Sequence, residues 1–133
     1  MAESIARNLT RPVHVGNVTI GGGAPVVVQS MTCTPTVDAS ATLEQVNQLA
    51  KVGCDIVRVS VPTKEALKSF RDICSESPVP IVADIHFDYR LALGALDAGA
   101  AKLRINPGNI GSWDKVDAII DKAGSMGAAI RIG

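Results

Sequence analysis

Three arginines recur at alternate positions of short β-branched runs: Arg58 in DIVRVSVP, Arg104 in LRINPGNIG and Arg131 in IRIG. Asp84 and His86 stand two apart in the run IVADIHFDYR, and Asn106 follows Arg104 by the same interval. Residues two apart on a strand share a face. A guanidinium offers five donors in a planar fork that matches phosphate oxygens, and several such forks converging on one volume can surround an anion. Among these runs only Asp84 supplies an internal counter-charge, and uncompensated charge in a closed interior is costly. The excess therefore asks for an anion with several oxygens, a phosphate or diphosphate. The plainer alternative is that Arg58 pairs with Asp84 across adjacent strands and Arg104 pairs with an acid elsewhere. His86 taken alone is a proton donor, a substrate hydrogen-bonder or a held core histidine, and His14 is an exposed strand residue.

These residues need elements that bring them together. Val13 and Val15, then Gly16-Asn17, then Val18 and Ile20 predict a hairpin with a two-residue turn. The glycines at 21–23 lack a strand-to-helix unit in dinucleotide-binding order and read as a turn. From residue 26 the pattern predicts strands at 26–31, 56–61, 81–86, 102–106 and 129–132. Helices are expected between them at 42–52, 64–74, 89–98 and 113–126. Gly99 suits a left-handed cap and Ser112 an N-cap. The stretch Asn106-Pro107-Gly108-Asn109-Ile110-Gly111 leads into a helix N-terminus, whose free N–H groups favour anions.

Repeated β/α units predict parallel strands with right-handed crossovers, either a doubly wound sheet or a (β/α)8 barrel of the TIM type. The strand faces separate the two. Val57, Val59 and Val61 oppose Arg58 and Ser60; Ile81, Ala83 and Ile85 oppose Val82, Asp84 and His86; Leu103 and Ile105 oppose Lys102, Arg104 and Asn106; Ile130 and Ile132 oppose Arg131. A strand covered by helices on both sides is apolar on both. A polar second face on every strand points to the shared interior of a TIM barrel, whose active site lies at the carboxyl ends of its strands. A complete barrel needs about 250 residues, so 133 residues supply an incomplete one: a hairpin, five parallel strands and four helices. The organisation expected is a polar leader at 1–10, a hairpin at 11–24 and β/α units over 25–133.

Composition narrows the class further. Thirteen basic residues balance thirteen acidic ones without a cluster, and aromatics make up 3%, which leaves neither the footprint nor the stacking surface for nucleic acid. Apolar runs such as 79–83 fall far short of the ~20 residues that span a bilayer, and the start carries no apolar signal region, so no membrane association and a cytoplasmic address are expected. Cys33, Cys54 and Cys74 are spaced for neither a disulfide framework nor a metal knuckle. Cys54 and Cys74 read as small core residues.

The stretches 28–32 (VQSMT), 55–62 (DIVRVSVP), 82–90 (VADIHFDYR), 103–111 (LRINPGNIG) and 130–133 (IRIG), in that order, resemble the N-terminal barrel of the 4-hydroxy-3-methylbut-2-enyl diphosphate synthase family. The resemblance runs from about residue 11 to 133. It implies the reductive ring opening and dehydration of 2-C-methyl-D-erythritol 2,4-cyclodiphosphate in the methylerythritol phosphate route to isoprenoids. Arg58, Arg104 and Arg131 match positions that grip the diphosphate, and Asp84, His86 and Asn106 match polar groups lining the pocket. Substrate binding is accordingly expected of Arg58, Arg104, Asn106 and Arg131, and chemistry of His86 and Asp84.

The family's [4Fe-4S] cluster is held by three cysteines and a glutamate of a C-terminal domain, so its ligands are expected outside this chain and Cys33, Cys54 and Cys74 are not expected among them. Reduced flavodoxin or ferredoxin is the implied electron donor. A homodimer, in which the cluster domain of one subunit caps the barrel of the other, is the implied assembly. The family continues beyond IRIG, so the chain is expected to be a fragment without activity of its own. Two other readings of the residues stand beside this one: a phosphate-binding barrel of the pterin-synthase type, and a non-catalytic module that holds a diphosphate.

Overall fold

A computed structural model describes residues 5–133; the first four residues of the expected leader lie outside the described residues. Strands β1 (Val13–Val15) and β2 (Val18–Ile20) form an antiparallel hairpin in which Val15 faces Val18 across a two-residue turn. Gly16 takes φ +57° while Asn17 stays negative, so the glycine alone supplies the left-handed step that a tight hairpin needs.

The remaining strands are β3 (Gln29–Met31), β4 (Ile56–Ser60), β5 (Ile81–Asp84), β6 (Lys102–Ile105) and β7 (Ala129–Ile132), all parallel and in sequential order. They alternate with α1 (Ala39–Lys51), α2 (Lys64–Glu76), α3 (Tyr89–Ala98), the short α4 (Pro107–Ile110) and α5 (Trp113–Met126). A doubly wound sheet reverses its strand order at a switch point. Here the order β3-β4-β5-β6-β7 never reverses, and β3 and β7 stand at the two edges. This is the arrangement of a TIM barrel that has not closed.

The two faces differ as the alternation predicts. Val57, Val59, Val61, Ile81, Ala83, Ile85, Leu103 and Ile105 are all buried against Val46, Phe70, Ile73, Ala95, Leu96 and Ile119 of the helices. Burying a side chain of this size contributes about 1.5–3 kcal/mol relative to leaving it exposed. On the opposite face Ile56 and Val82 pack under Val15 in a second, smaller apolar cluster. The hairpin thus covers the amino-terminal end of the concave face, and that face becomes polar only further along the strands.

Helix ends follow from local chemistry. The carboxylate of Asp38 accepts from the Ala41 amide at 3.0 Å and starts α1 at Ala39, three residues before the expected 42. Thr63 and Asp88 cap α2 and α3 in the same way, and Gly99 closes α3 at φ +111°. Helix α2 runs to Glu76 rather than 74 because Ser77 still donates its amide to Ile73. Ser112 precedes α5 but makes no side-chain cap bond. Four strands are shorter than expected: the first starts at Gln29, and the next three end at Ser60, Asp84 and Ile105. The helix at Pro107–Ile110 adds a fifth to the expected four.

Candidate functional site at the carboxyl ends of the strands

Parallel pairing sets Ser60 beside Asp84, Asp84 beside Arg104 and Arg104 beside Arg131. Register partners in a parallel sheet project from the same face, so the polar positions of four strands meet above the hairpin-covered end. Asp84 is the centre. Its side chain is 4% exposed, and both oxygens are engaged: Oδ2 lies 3.5 Å from Arg58 Nε, and Oδ1 accepts from Arg104 Nη1 at 3.4 Å. One carboxylate is shared by two guanidiniums, each about a quarter exposed. The Arg58–Asp84 pair of the plainer alternative is present, and Arg104 pairs with the same carboxylate rather than with an acid elsewhere.

The sharing leaves donors over. Arg58 Nε is buried and makes no hydrogen bond among the described residues, while its Nη2 rests on the sulfur of Met31 at 3.2 Å. A thioether is a weak acceptor for a charged donor. Among the described residues Arg104 hydrogen-bonds only through Nη1, so its Nε and Nη2 donors have no acceptor there and lie beside the backbone of Gly133. Arg131 is exposed beside Arg104. Lys102, one step below Arg104 on the same face, is buried with 8% of its surface exposed, and burial, then the nearby Arg131 charge, hold its pKa below the ordinary lysine value. Around a single carboxylate the face gathers three guanidiniums and an ammonium. An anion with several oxygens meets these donors with charge-assisted hydrogen bonds.

Asn106 is half-buried at the end of β6, where its Oδ1 accepts from the Gly108 amide at 3.0 Å and caps α4. Its side-chain NH2 remains for the concave side. The first amides of α4 are already committed: Pro107 has no N–H, Gly108 is bound to Asn106 Oδ1, and Asn109 donates to the Asn106 carbonyl; the helix start to which 106–111 leads is that of α5 at Trp113. His86 lies beyond the end of β5 and is exposed, with its ring 6.3 Å from that of Phe87 and no hydrogen bond to Asp84. It is therefore not a core histidine. His14 is exposed and its Nδ1 lies 3.2 Å from Thr19 Oγ1.

The cysteines are apart. Cys54 is buried and donates to the Ile56 carbonyl at 3.0 Å; Cys74 is packed against the core, where burial pushes its thiol up to about 12. Cys33 is exposed after β3, bracketed by Gln45, which accepts from its amide at 2.8 Å and donates to its sulfur at 3.1 Å. Among the described residues no group of His, Cys, Asp and Glu is placed to hold a metal ion, so the residues present do not fit an iron-sulfur cluster. Among the described residues no helix is long and apolar enough to cross a membrane.

A concavity of about 970 Å³ between α1 and α2 is lined by helix residues such as Leu43, Asn47 and Glu76 and by Pro78. It contains no strand residue. The charged cluster is the better candidate because its groups converge. Lys102 and Met31 were missed as parts of it by motif; the alternation that found Arg104 also places Lys102 on the same face.

Solved structures share this architecture. A dihydropteroate synthase from Xanthomonas albilineans superposes with a TM-score of 0.66 over 91% of this chain and 48% of its own, at 16% identity, and one from Vibrio fischeri with 0.65 at 14%. That likeness concerns the fold alone. Sequence relatives are much nearer. The 4-hydroxy-3-methylbut-2-en-1-yl diphosphate synthase (flavodoxin) of Lawsonia intracellularis is 56% identical over 127 residues, covering 96% of this chain. That of Anoxybacillus flavithermus is 53% identical over all 133. The chain spans 35–36% of the length of these curated relatives. The model of the GcpE TIM-barrel domain matches residues 10–133, a span that takes in the hairpin, every strand of the open sheet and all six candidate residues, and the chain belongs to that family.

Proposed function

We propose that this chain forms the diphosphate-binding part of a 4-hydroxy-3-methylbut-2-enyl diphosphate synthase, whose whole activity is the reductive ring opening and dehydration of 2-C-methyl-D-erythritol 2,4-cyclodiphosphate. The observation that carries the reading is the pair of guanidiniums on one buried carboxylate, with Arg58 Nε and the outer edge of Arg104 left without strong acceptors. The names of the near relatives support the substrate class and flavodoxin as electron donor, with ferredoxin as the other candidate.

In this reading Arg58, Arg104 and Arg131 grip the diphosphate. Asp84 holds two of them in place before substrate arrives, so their order is established in advance. Lys102 adds positive potential from below, and the Asn106 side-chain amide donates at the rim. His86, exposed beyond Asp84, is positioned to reach a substrate seated on the arginines and to deliver a proton to, or orient, the departing hydroxyl. A [4Fe-4S] cluster, if held by other parts of the full-length protein, would supply the electrons, and this chain's own residues would bind and orient the substrate. A cytoplasmic homodimer is the proposed assembly.

The reading is tested by supplying the full-length protein with reduced flavodoxin and the cyclodiphosphate and following the linear 4-hydroxy-3-methylbut-2-enyl diphosphate. Turnover is expected. A full-length protein that carries a reducible cluster yet leaves the cyclodiphosphate intact contradicts the reading.

A further inference from the structure

We infer that Gly133 is a positioning residue for Arg104: its lack of a side chain seats the guanidinium so that the Nε–Nη2 edge stays open for a bidentate contact with an oxyanion of the diphosphate class. The inference rests on Arg104 being a diphosphate contact. Its own observation is steric.

The Gly133 amide donates to the Ile105 carbonyl at 2.7 Å, one step past the register pair of Ile105 with Ile132. The backbone at 133 is thus held against the carboxyl end of β6. Gly133 is not among the glycines of positive φ, so its backbone conformation is one that any L-residue adopts. What excludes a side chain is Arg104. A Cβ at 133 would meet Arg104 Nε and would lie 2.5 Å from Nη2 and 2.6 Å from Cζ, far inside the ~3.5–4 Å of favourable contact.

An arginine head can swing away, so the fold can absorb the methyl group. The position of the fork cannot survive it. Arg104 is tied on its other side to Asp84 through Nη1, which leaves Nε and Nη2 as the pair of parallel donors that a phosphate engages bidentately. The methyl group would either cover that pair or push the guanidinium off both Asp84 and the anion.

The experiment uses full-length protein as wild type, Gly133→Ala, Arg104→Ala, Arg104→Lys and the doubles Gly133→Ala/Arg104→Ala and Gly133→Ala/Arg104→Lys. Each is titrated calorimetrically with inorganic diphosphate and assayed for KM and kcat, with its melting temperature recorded. Gly133→Ala is expected to weaken diphosphate about tenfold, the size of one charge-assisted contact. It should raise KM more than it lowers kcat and leave melting close to wild type. It should add no further loss to Arg104→Ala and less than about twofold to Arg104→Lys, whose slim ammonium has no fork to displace. If Arg104→Ala weakens diphosphate while Gly133→Ala binds like wild type, or if the two losses add, the inference is overturned and the diphosphate reading stands. If Arg104→Ala itself binds like wild type, the reading of Arg104 fails and this inference falls with it.

Discussion

Arg58 Nε lies 3.5 Å from Asp84 Oδ2 yet is buried without a hydrogen bond among the described residues. The pair is close enough to attract without forming a hydrogen bond, while the other oxygen of the same carboxylate serves Arg104 at 3.4 Å. One carboxylate thus balances two guanidiniums, and the proposed diphosphate would supply the further negative charge.

Replacing the shared carboxylate tests this arrangement. Asp84→Asn in the full-length protein leaves two part-buried guanidiniums without compensation. It should destabilise by about 2 kcal/mol, below the roughly 3–5 kcal/mol of a fully buried pair because both arginines reach solvent. Inorganic diphosphate should restore part of the loss by binding the folded form. Thermal melts with and without diphosphate read both effects; a variant as stable as wild type, or one that diphosphate does not rescue, contradicts the arrangement.

His86 should behave differently from the arginines. It is exposed beyond the end of β5, its ring 6.3 Å from that of Phe87, so His86→Ala should barely change melting. A group acting in the chemical step lowers kcat more than it raises KM. Steady-state kinetics of the full-length variant decide: a rise in KM with kcat intact makes His86 a binding residue instead.

Much of this site was legible in the sequence because a strand has period two. Val57, Arg58 and Val59 declare two faces without knowledge of a partner strand, and the same pattern at 81–86 and 102–106 puts Asp84 and Arg104 on the polar faces of theirs. Register was not legible. That Asp84 serves two arginines depends on which residues of β4, β5 and β6 stand side by side, which no single run encodes. Element ends also hid: the apolar stripe of α1 begins after its cap at Asp38, and β5 stops at Asp84 rather than carrying His86. The closeness of Gly133 to Arg104 arises between strands and leaves no mark in either.

Lys102 gives a pH signature. Burial and Arg131 lower its pKa in the folded protein, so between that value and the ordinary one near 10.5 the unfolded chain binds more protons and stability rises with pH. At neutral pH the buried ammonium is a cost. Lys102→Met should therefore raise the melting temperature at neutral pH, and the advantage should shrink as pH climbs toward 10.5. Denaturation across that range checks the slope; a variant less stable than wild type at neutral pH would show that Lys102 is paired in the full-length protein.

The 133-residue chain studied by itself should associate. Strands β3 and β7 stand at open edges, and Val26, Val28 and Ile132 near them are more than half exposed. Unpaired edges with apolar side chains template pairing with another copy. Sedimentation across a concentration series is expected to show self-association, and a concentration-independent monomer with a sharp cooperative melt would mean that the open sheet is self-sufficient.

The account stands most directly on who holds the diphosphate. Calorimetric titration of the cyclodiphosphate into full-length wild type, Arg58→Ala, Arg104→Ala and Arg131→Ala, with melting temperatures as the folding control, measures it. Arg58→Ala and Arg104→Ala should each cost about 1.5–3 kcal/mol of binding, the range for a charge-assisted contact, and Arg131→Ala less, because its exposed charge is screened by solvent. Wild-type affinity in all three variants, with folding intact, would show that these arginines only balance Asp84 and that the diphosphate binds elsewhere.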